Sequence, residues 1–233
     1  MLMMNDSITR TVGSVSPTPP LLHDQAPDFA TRTTMGERRL SDYRGQWLVF
    51  FSHPADFTPV CTSEFIAFAK AYPQFKAAGC ELLALSVDSL FSHLAWARNI
   101  HQNFGVEIPF PIAEDSGLCI AHAYGMVHPA ATSSATVRAT FIIDPLGVIR
   151  AITWYPMSAG RNIAELLRLV RALQAGDEHG ALTPENWQPG DPMLDVVAGT
   201  YAEASTVAQQ EGATDWYYHT RLRKSGKQGS AKK

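Results

Sequence analysis

Cysteine is scarce in this chain. Only three occur in 233 residues, Cys61, Cys80 and Cys119; their spacings are wide and no Cys-x-x-Cys is present. A secreted disulfide framework and a cysteine-rich zinc site are therefore excluded, and a reducing, cytoplasmic setting is expected. Long apolar runs are missing too. Nothing approaches the ~20 residues needed to span a bilayer, so no stable membrane association is expected. Met1 to Pro20 holds no apolar signal core; it is rich in Ser, Thr and Pro and reads as a flexible arm. An excess of positive charge is absent overall, the net charge being −3, which argues against nucleic-acid binding. Acid is lacking only at one end, where residues 221–233 carry six basic side chains and no Asp or Glu. That pattern is expected of a solvated tail.

What the chain does have is apolar material, 45% of it, enough for a sizeable core. Trp47-Leu48-Val49-Phe50-Phe51-Ser52 predicts a strand buried on both faces. Thr58-Pro59 predicts a helix start, with proline at the first helical position. Phe65, Phe68, Ala69, Tyr72 and Phe75 then line one face, with a kink at Pro73 and a stop at Gly79. Glu81 to Val87 is a second buried strand. Asp88-Ser89 caps a helix that presents Leu90, Leu94, Ala97 and Ile100. Pro109 to Ile112 reads as a short strand, and Gly117 to Tyr124 as a short helix. Val137–Ile143 and Val148–Trp154 are alternating strands joined at Asp144-Pro145-Leu146-Gly147, a hairpin signal. Asn162 opens a last long helix carrying Ile163, Leu166, Leu167, Val170 and Leu173 on one face. The order β-α-β-α-β-α-β-β-α fits an α/β, thioredoxin-like fold, a central mixed sheet flanked by helices.

Beyond Gly176 the texture changes to Thr183-Pro184, Pro189-Gly190 and Asp191-Pro192, with isolated aromatics at Trp187 and Trp216-Tyr217-Tyr218. The chain is thus divided into an arm at 1–20, a main domain at 21–177, a small loop-rich extension at 178–222 and a basic flexible tail at 223–233. The extension is too short to hold a large core alone and is expected to pack on another surface, its aromatics covering a partner subunit.

Cys61 falls in the first turn of the predicted helix, just after a buried strand. Backbone N–H groups and the positive end of the helix point at a side chain placed there, and both favour a sulfur anion. A plain reading, a small buried residue at a helix start, stands beside the reactive one. Thiolate character alone does not make a fast enzyme, because charge developing on the substrate must also be stabilised. The Thr58 hydroxyl is one turn away and is expected in the same pocket. Pro54, with no N–H, can wall that pocket without a competing donor. Arg138, Arg150 and Arg161 are the candidate cations. Arg138 is the best placed of them, because it opens an apolar strand. Cys80 and Cys119 sit in apolar stretches and are expected to be packing residues.

The string Ser52-His53-Pro54-x-x-Phe57-Thr58-Pro59-Val60-Cys61-Thr62-x-Glu64 resembles the signature of the peroxiredoxins. Ala84-Leu85-Ser86-Val87-Asp88, His93-Leu94-Ala95-Trp96, Phe110-Pro111-Ile112 and Tyr155-Pro156-x-x-x-Gly160-Arg161-Asn162 are similar to the same family, in its one-cysteine branch with a long C-terminal extension. The resemblance implies that Cys61 attacks the O–O bond of hydrogen peroxide or an organic hydroperoxide and becomes a sulfenic acid. It implies that Arg138 holds the thiolate and the peroxide oxygens, with Thr58 and Pro54 as partners in the substrate pocket. Glu64 then orients Arg138, Arg161 stands behind it, and His53 lies near the cysteine. No metal, nucleotide or haem is implied, since the sulfur performs the redox step. An external thiol, glutathione or a thioredoxin- or glutaredoxin-like protein, regenerates it. A two-fold homodimer through the extension is implied, with decameric rings of dimers among the family's assemblies. Arg150 matches no motif and is expected on the surface.

Two rival readings are a cysteine hydrolase using His53, for which no acid orienting the histidine is evident, and a holdase without turnover. The phospholipase string found in part of this branch is missing: Gln46 stands where its serine would be, so no such lipase activity is expected. The one-cysteine reading predicts that mass spectrometry after one equivalent of hydrogen peroxide finds oxygen added at Cys61. A chain about 2 Da lighter, carrying an internal disulfide, would contradict it.

Overall fold

The computed structural model describes residues 18–128, 130–210 and 212–223; most of the expected arm and of the basic tail lie outside them. The apolar run at 47–52 forms β3 (Trp47–Ser52), every residue of which is buried. It pairs in parallel with β4 (Cys80–Ser86), which pairs in parallel with β5 (Ile112–Glu114). On its other side β3 meets β6 (Arg138–Ile143) antiparallel, and β6 forms a hairpin with β7 (Ile149–Tyr155). A further hairpin, β1 (Ala30–Thr33) and β2 (Gly36–Arg39), adds to the β5 edge and completes the seven-stranded order β2-β1-β5-β4-β3-β6-β7. Sequence reasoning missed this hairpin because its residues are mostly polar and half-exposed.

The crossovers are α1 (Pro59–Ala77), α2 (Leu90–Phe104) and α3 (Cys119–Ala123), and α4 (Ile163–His179) follows β7. This is the thioredoxin-like arrangement of a mixed sheet between helices. Alternation along β3 sends Trp47, Val49 and Phe51 to one face, where they pack with Phe65 and Phe68 of α1, Trp96 and Ile100 of α2, and Leu166, Leu167 and Val170 of α4. Leu48 and Phe50 face the other way, into a cluster with Leu83, Leu85, Phe141, Tyr124 and Ile120.

Several local expectations change. α1 runs unbroken through Pro73, whose ring nitrogen has no proton for the carbonyl a turn earlier; Phe65, Phe68 and Phe75 bury the helix on both sides of that position. Its end comes at Gly79, where φ is +62°. α2 turns His93, Trp96 and Ile100 inward and leaves Leu94 45% exposed, a rotation away from the purely apolar face. β5 begins only at Ile112. Cys119 is exposed, because α3 buries Ile120 and Ala121 and turns the thiol outward. Arg150 is not a loose surface charge: its guanidinium binds both carboxylate oxygens of Asp177 at 2.8 Å, reaches Asp144 at 3.3 Å and lies over the Trp47 ring. It ties the β6–β7 turn to the end of α4.

After α4 come β8 (Met193–Leu194), α5 (Tyr201–Val207), β9 (Ala213–Asp215) and β10 (Tyr218–Arg221), with β10 central in a small sheet. Trp187 is buried within its own chain against Ala172, Ala181 and Met193, and its indole N–H donates to the Asp191 carbonyl. It therefore fixes the extension to α4 and is not free to cover a partner. Tyr201, Trp216, Tyr217 and Tyr218 are aromatics left exposed there.

The Phe51 and Phe68 rings stack with centroids 4.1 Å apart at the middle of the larger core. Phe51→Ala should lower unfolding free energy by about 3–5 kcal/mol, read as a fall in the urea midpoint at unchanged slope.

Candidate active site

The parallel strands β3 and β4 end side by side, Ser52 pairing with Leu85, and β6 starts at that same end of the sheet. Crevices outside the carboxyl ends of parallel strands are where open α/β sheets place their sites. The Ser52 hydroxyl stitches the end together, donating to the Val137 carbonyl at 2.6 Å and accepting from the Ala139 N–H at 3.2 Å. Just beyond β3 lie His53 and Pro54, both buried, and then a tight loop in which Phe57 takes a left-handed φ of +56°. Phe57 carries a side chain where glycine is the usual occupant, so the loop holds backbone strain. Thr58 is the N-cap of α1 and Pro59 its first residue.

Cys61 sits in that first turn with no exposed surface. Arg138 crosses from β6 and brings Nη1 to 3.3 Å from its sulfur. The same Nη1 donates to Glu64 Oε2 at 2.7 Å, while Nε and Nη2 both donate to the Met157 carbonyl, at 3.2 and 2.8 Å. A guanidinium has five N–H groups; four are placed, and the second hydrogen on Nη2 has no acceptor among the described residues. Glu64, one turn after Cys61, is shared between two arginines. Arg161 donates to it from its backbone N–H and from Nε and Nη2, at 2.8–2.9 Å. Arg161 Nη1 continues to the Ala139 carbonyl and Thr140, and its guanidinium lies over the Phe51 ring.

Burial is the largest influence on both ends of the Glu64–Arg161 pair. It pulls the Arg161 pKa down, against the hydrogen bonds and charge of Glu64. It pushes the Glu64 carboxyl up, but the hydrogen bonds and charge of Arg161, with the charge of Arg138, outweigh it and leave the group below its ordinary value. Glu64 and Arg161 are thus brought together with Arg138 and Cys61. The Thr58 hydroxyl donates to the Ala55 carbonyl at 2.9 Å, so only its oxygen lone pairs remain to meet a ligand.

His53 has an orienting acid after all. Its Nε2 lies 2.9 Å from Asp56 Oδ1, and the other carboxylate oxygen is 2.8 Å from Nδ1 of His93, on α2. Burial lowers the His53 pKa, only partly offset by Asp56. Asp56 is itself pushed up by burial, but the two imidazoles hold it well below the usual carboxylate range. Neither Asp56 nor His93 was picked out by sequence reasoning. The signal for Asp56 was its place three residues after a histidine in a stiff loop; His93 stood in the family-like string His93-Leu94-Ala95-Trp96, which assigned it no role. Two histidines and a carboxylate could ligate a metal ion, but His53 Nδ1 and His93 Nε2 have no hydrogen-bond partner. A metal would force the N–H of each ring onto that unpartnered side, where ligating histidines ordinarily find an acceptor. The residues fit a hydrogen-bonded triad and not a metal centre.

A thioredoxin-like sheet presenting one buried cysteine to a fixed guanidinium defines the class of thiol-dependent peroxidases. Comparison with known proteins agrees. Residues 22–152 match the AhpC/TSA family and residues 172–204 match the C-terminal domain of 1-Cys peroxiredoxin. The chain is 51% identical to "Peroxiredoxin 2" of Caldanaerobacter subterraneus subsp. tengcongensis over 201 residues, 85% of this chain and 91% of that protein. It is 48% identical to a peroxiredoxin of Aquifex aeolicus over 210 residues, 85% of this chain and 95% of that one. Among solved structures it resembles the yeast mitochondrial 1-Cys peroxiredoxin (TM-score 0.79, 38% identity, 88% of this chain and 100% of that one). It also resembles peroxiredoxin 6 of Arenicola marina (TM-score 0.77, 34% identity, the same coverage). The chain belongs to the peroxiredoxin family, and its activity is that of a thiol-dependent peroxidase.

Removing Glu64 would leave two buried guanidiniums facing each other. Glu64→Gln should cost about 3–5 kcal/mol of stability. Because the folded pKa of Glu64 is depressed, its stabilisation is present in full above the unfolded value of about 4.3 and is lost as pH falls through the folded value. Acid unfolding curves of the wild type and Glu64→Gln should therefore converge at low pH.

Proposed function

We propose that Cys61 is the peroxidatic residue and that this chain reduces hydrogen peroxide and organic hydroperoxides by a one-cysteine route. The observation that carries this reading is the Arg138 Nη1–Cys61 sulfur contact of 3.3 Å, made by a guanidinium that still has one N–H to offer. The sulfur anion attacks one peroxide oxygen; an S–O bond forms as the O–O bond breaks. The departing oxygen takes up a proton and leaves as water or an alcohol, and Cys61, oxidised by two electrons, becomes a sulfenic acid. Arg138 supplies a positive charge to the oxygen that gains electrons. Thr58 offers its lone pairs to the hydroxyl of the peroxide, and Pro54 closes the wall behind the sulfur. Glu64, Arg161 and the Met157 carbonyl hold Arg138 in place. His53 supports the loop from within the triad.

Two external thiols complete the cycle. The first condenses with the sulfenic acid, releasing water and leaving a mixed disulfide; the second attacks that disulfide and frees the Cys61 thiolate. Burial supports this over Cys80 as an internal partner, since it pushes that thiol up to about 12, far from the thiolate needed for exchange. The similar yeast structure is described as resolving through glutathione/thioredoxin systems, which supports the same reductant class here. Exposed Tyr201, Trp216, Tyr217 and Tyr218 support a two-fold homodimer covered by the extension, with rings of dimers as a larger assembly. The three free cysteines support a reducing, cytoplasmic location.

Stopped-flow peroxide consumption tests the assignment. Cys61→Ser should abolish turnover, and Arg138→Ala should lower the second-order rate constant about 10²–10³-fold. Turnover persisting in Cys61→Ser would refute it.

A further inference from the structure

Cys61 has no exposed surface, yet a tripeptide or protein thiol must touch its sulfur to reduce it. The segment that would have to move is the loop between β3 and α1, and few bonds tie it to the rest of the molecule. At its β3 end His53 is held by the main chain, its N–H donating to the Leu85 carbonyl at 3.0 Å and its carbonyl accepting from the Thr136 hydroxyl at 2.8 Å; between His53 and α1, the ties to other elements are made by Asp56. Its carboxylate accepts from His53 within the loop and from His93 on α2. Its backbone N–H donates to Asp88 Oδ2 at 2.9 Å, an oxygen that also accepts the Ser86 hydroxyl. Beyond His53 the loop is thus buttoned at Asp56 to the turn that follows β4 and to α2, five residues before the sulfur. Phe57, next to it, holds the left-handed backbone, so strain is released when the button opens. The bare nitrogens His53 Nδ1 and His93 Nε2 fix both rings as donors to Asp56 and leave neither with a second anchor.

We propose that Asp56 and His93 form a clasp whose opening exposes Cys61, so that His93 is a positioning residue for the reductive half of the cycle. The proposal rests on the external-thiol reading above. Losing a hydrogen bond to a charged group should raise the open population about tenfold or more, while the closed form remains dominant.

The test uses the full chain. Hydrogen exchange of residues 53–62 is measured by mass spectrometry, and the loss of sulfenic acid under excess glutathione is followed by stopped flow after one equivalent of hydrogen peroxide. His93→Leu should raise both about tenfold. His93→Gln, which keeps a donor, should fall back toward the wild type. Asp88→Ala, which cuts the backbone tie and leaves the triad intact, should act in the same direction by a smaller factor; it keeps the test decisive should His93→Leu fail to fold. Unchanged exchange in His93→Leu and Asp88→Ala would overturn the clasp, as would identical behaviour of His93→Leu and His93→Gln. Stoichiometric zinc retained by the wild type and lost in His93→Leu would overturn it as well. If neither glutathione nor reduced thioredoxin or glutaredoxin reduces the wild-type sulfenic acid, the external-thiol reading falls, and the exchange data still decide the clasp.

Discussion

One carboxylate, Glu64, sets the electrostatics of this molecule. It is buried between Arg161 and Arg138 and accepts from both. Two guanidiniums and one carboxylate leave a single positive charge unbalanced in the interior, and the sulfur of Cys61 lies 3.3 Å from Arg138. Buried ion pairs are poor devices for stability alone, because desolvation offsets their attraction. On the proposed mechanism the uneven count is the useful property: it keeps a positive charge, already stripped of water and already oriented, where an oxygen must accept electrons.

The parts of this arrangement that are local in sequence could be read from it. Cys61, Thr58, Pro59 and Glu64 fall within one and a half turns of a helix start, and the two-sided apolar character of β3 announced the strand that feeds them. Arg138 was legible because an arginine heading an apolar strand requires a partner. What escaped is what the sheet and α2 bring together from a distance. Asp56 looked like an ordinary loop acid, and its meaning depends on His93, which is 37 residues away and reaches it only because α2 is rotated to bury a histidine in preference to Leu94. Arg150 carried no motif, and its salt bridge to Asp177 depends on where α4 ends. Cys119 was misread for the opposite reason: apolar neighbours in a five-residue helix do not say which side faces water. Trp187 seemed suited to a partner surface, but α4 itself supplied the surface it needed.

The two halves of the chemistry make different demands on the same loop. Attack on a small peroxide is best served by a closed, dry pocket with Arg138 held by Glu64 and the Met157 carbonyl beside the sulfur. Reduction by a larger thiol is best served by an exposed sulfur. The fold meets both by building the acceptor side from rigid elements, β6 and the first turns of α1 and α4, and the covering side from a short strained segment held by a few polar contacts. Local stabilities in proteins commonly differ in this way, with the mobile piece drawn from the weakly held end of the range.

Arg138 owes much of its aim to the Met157 carbonyl, which takes both Nε and Nη2. That grip belongs to the main chain, so it is indifferent to which side chain hangs from position 157. The side chain there is 48% exposed. Natural drift at this position can therefore change the side chain presented to solvent while the alignment of the guanidinium is inherited intact.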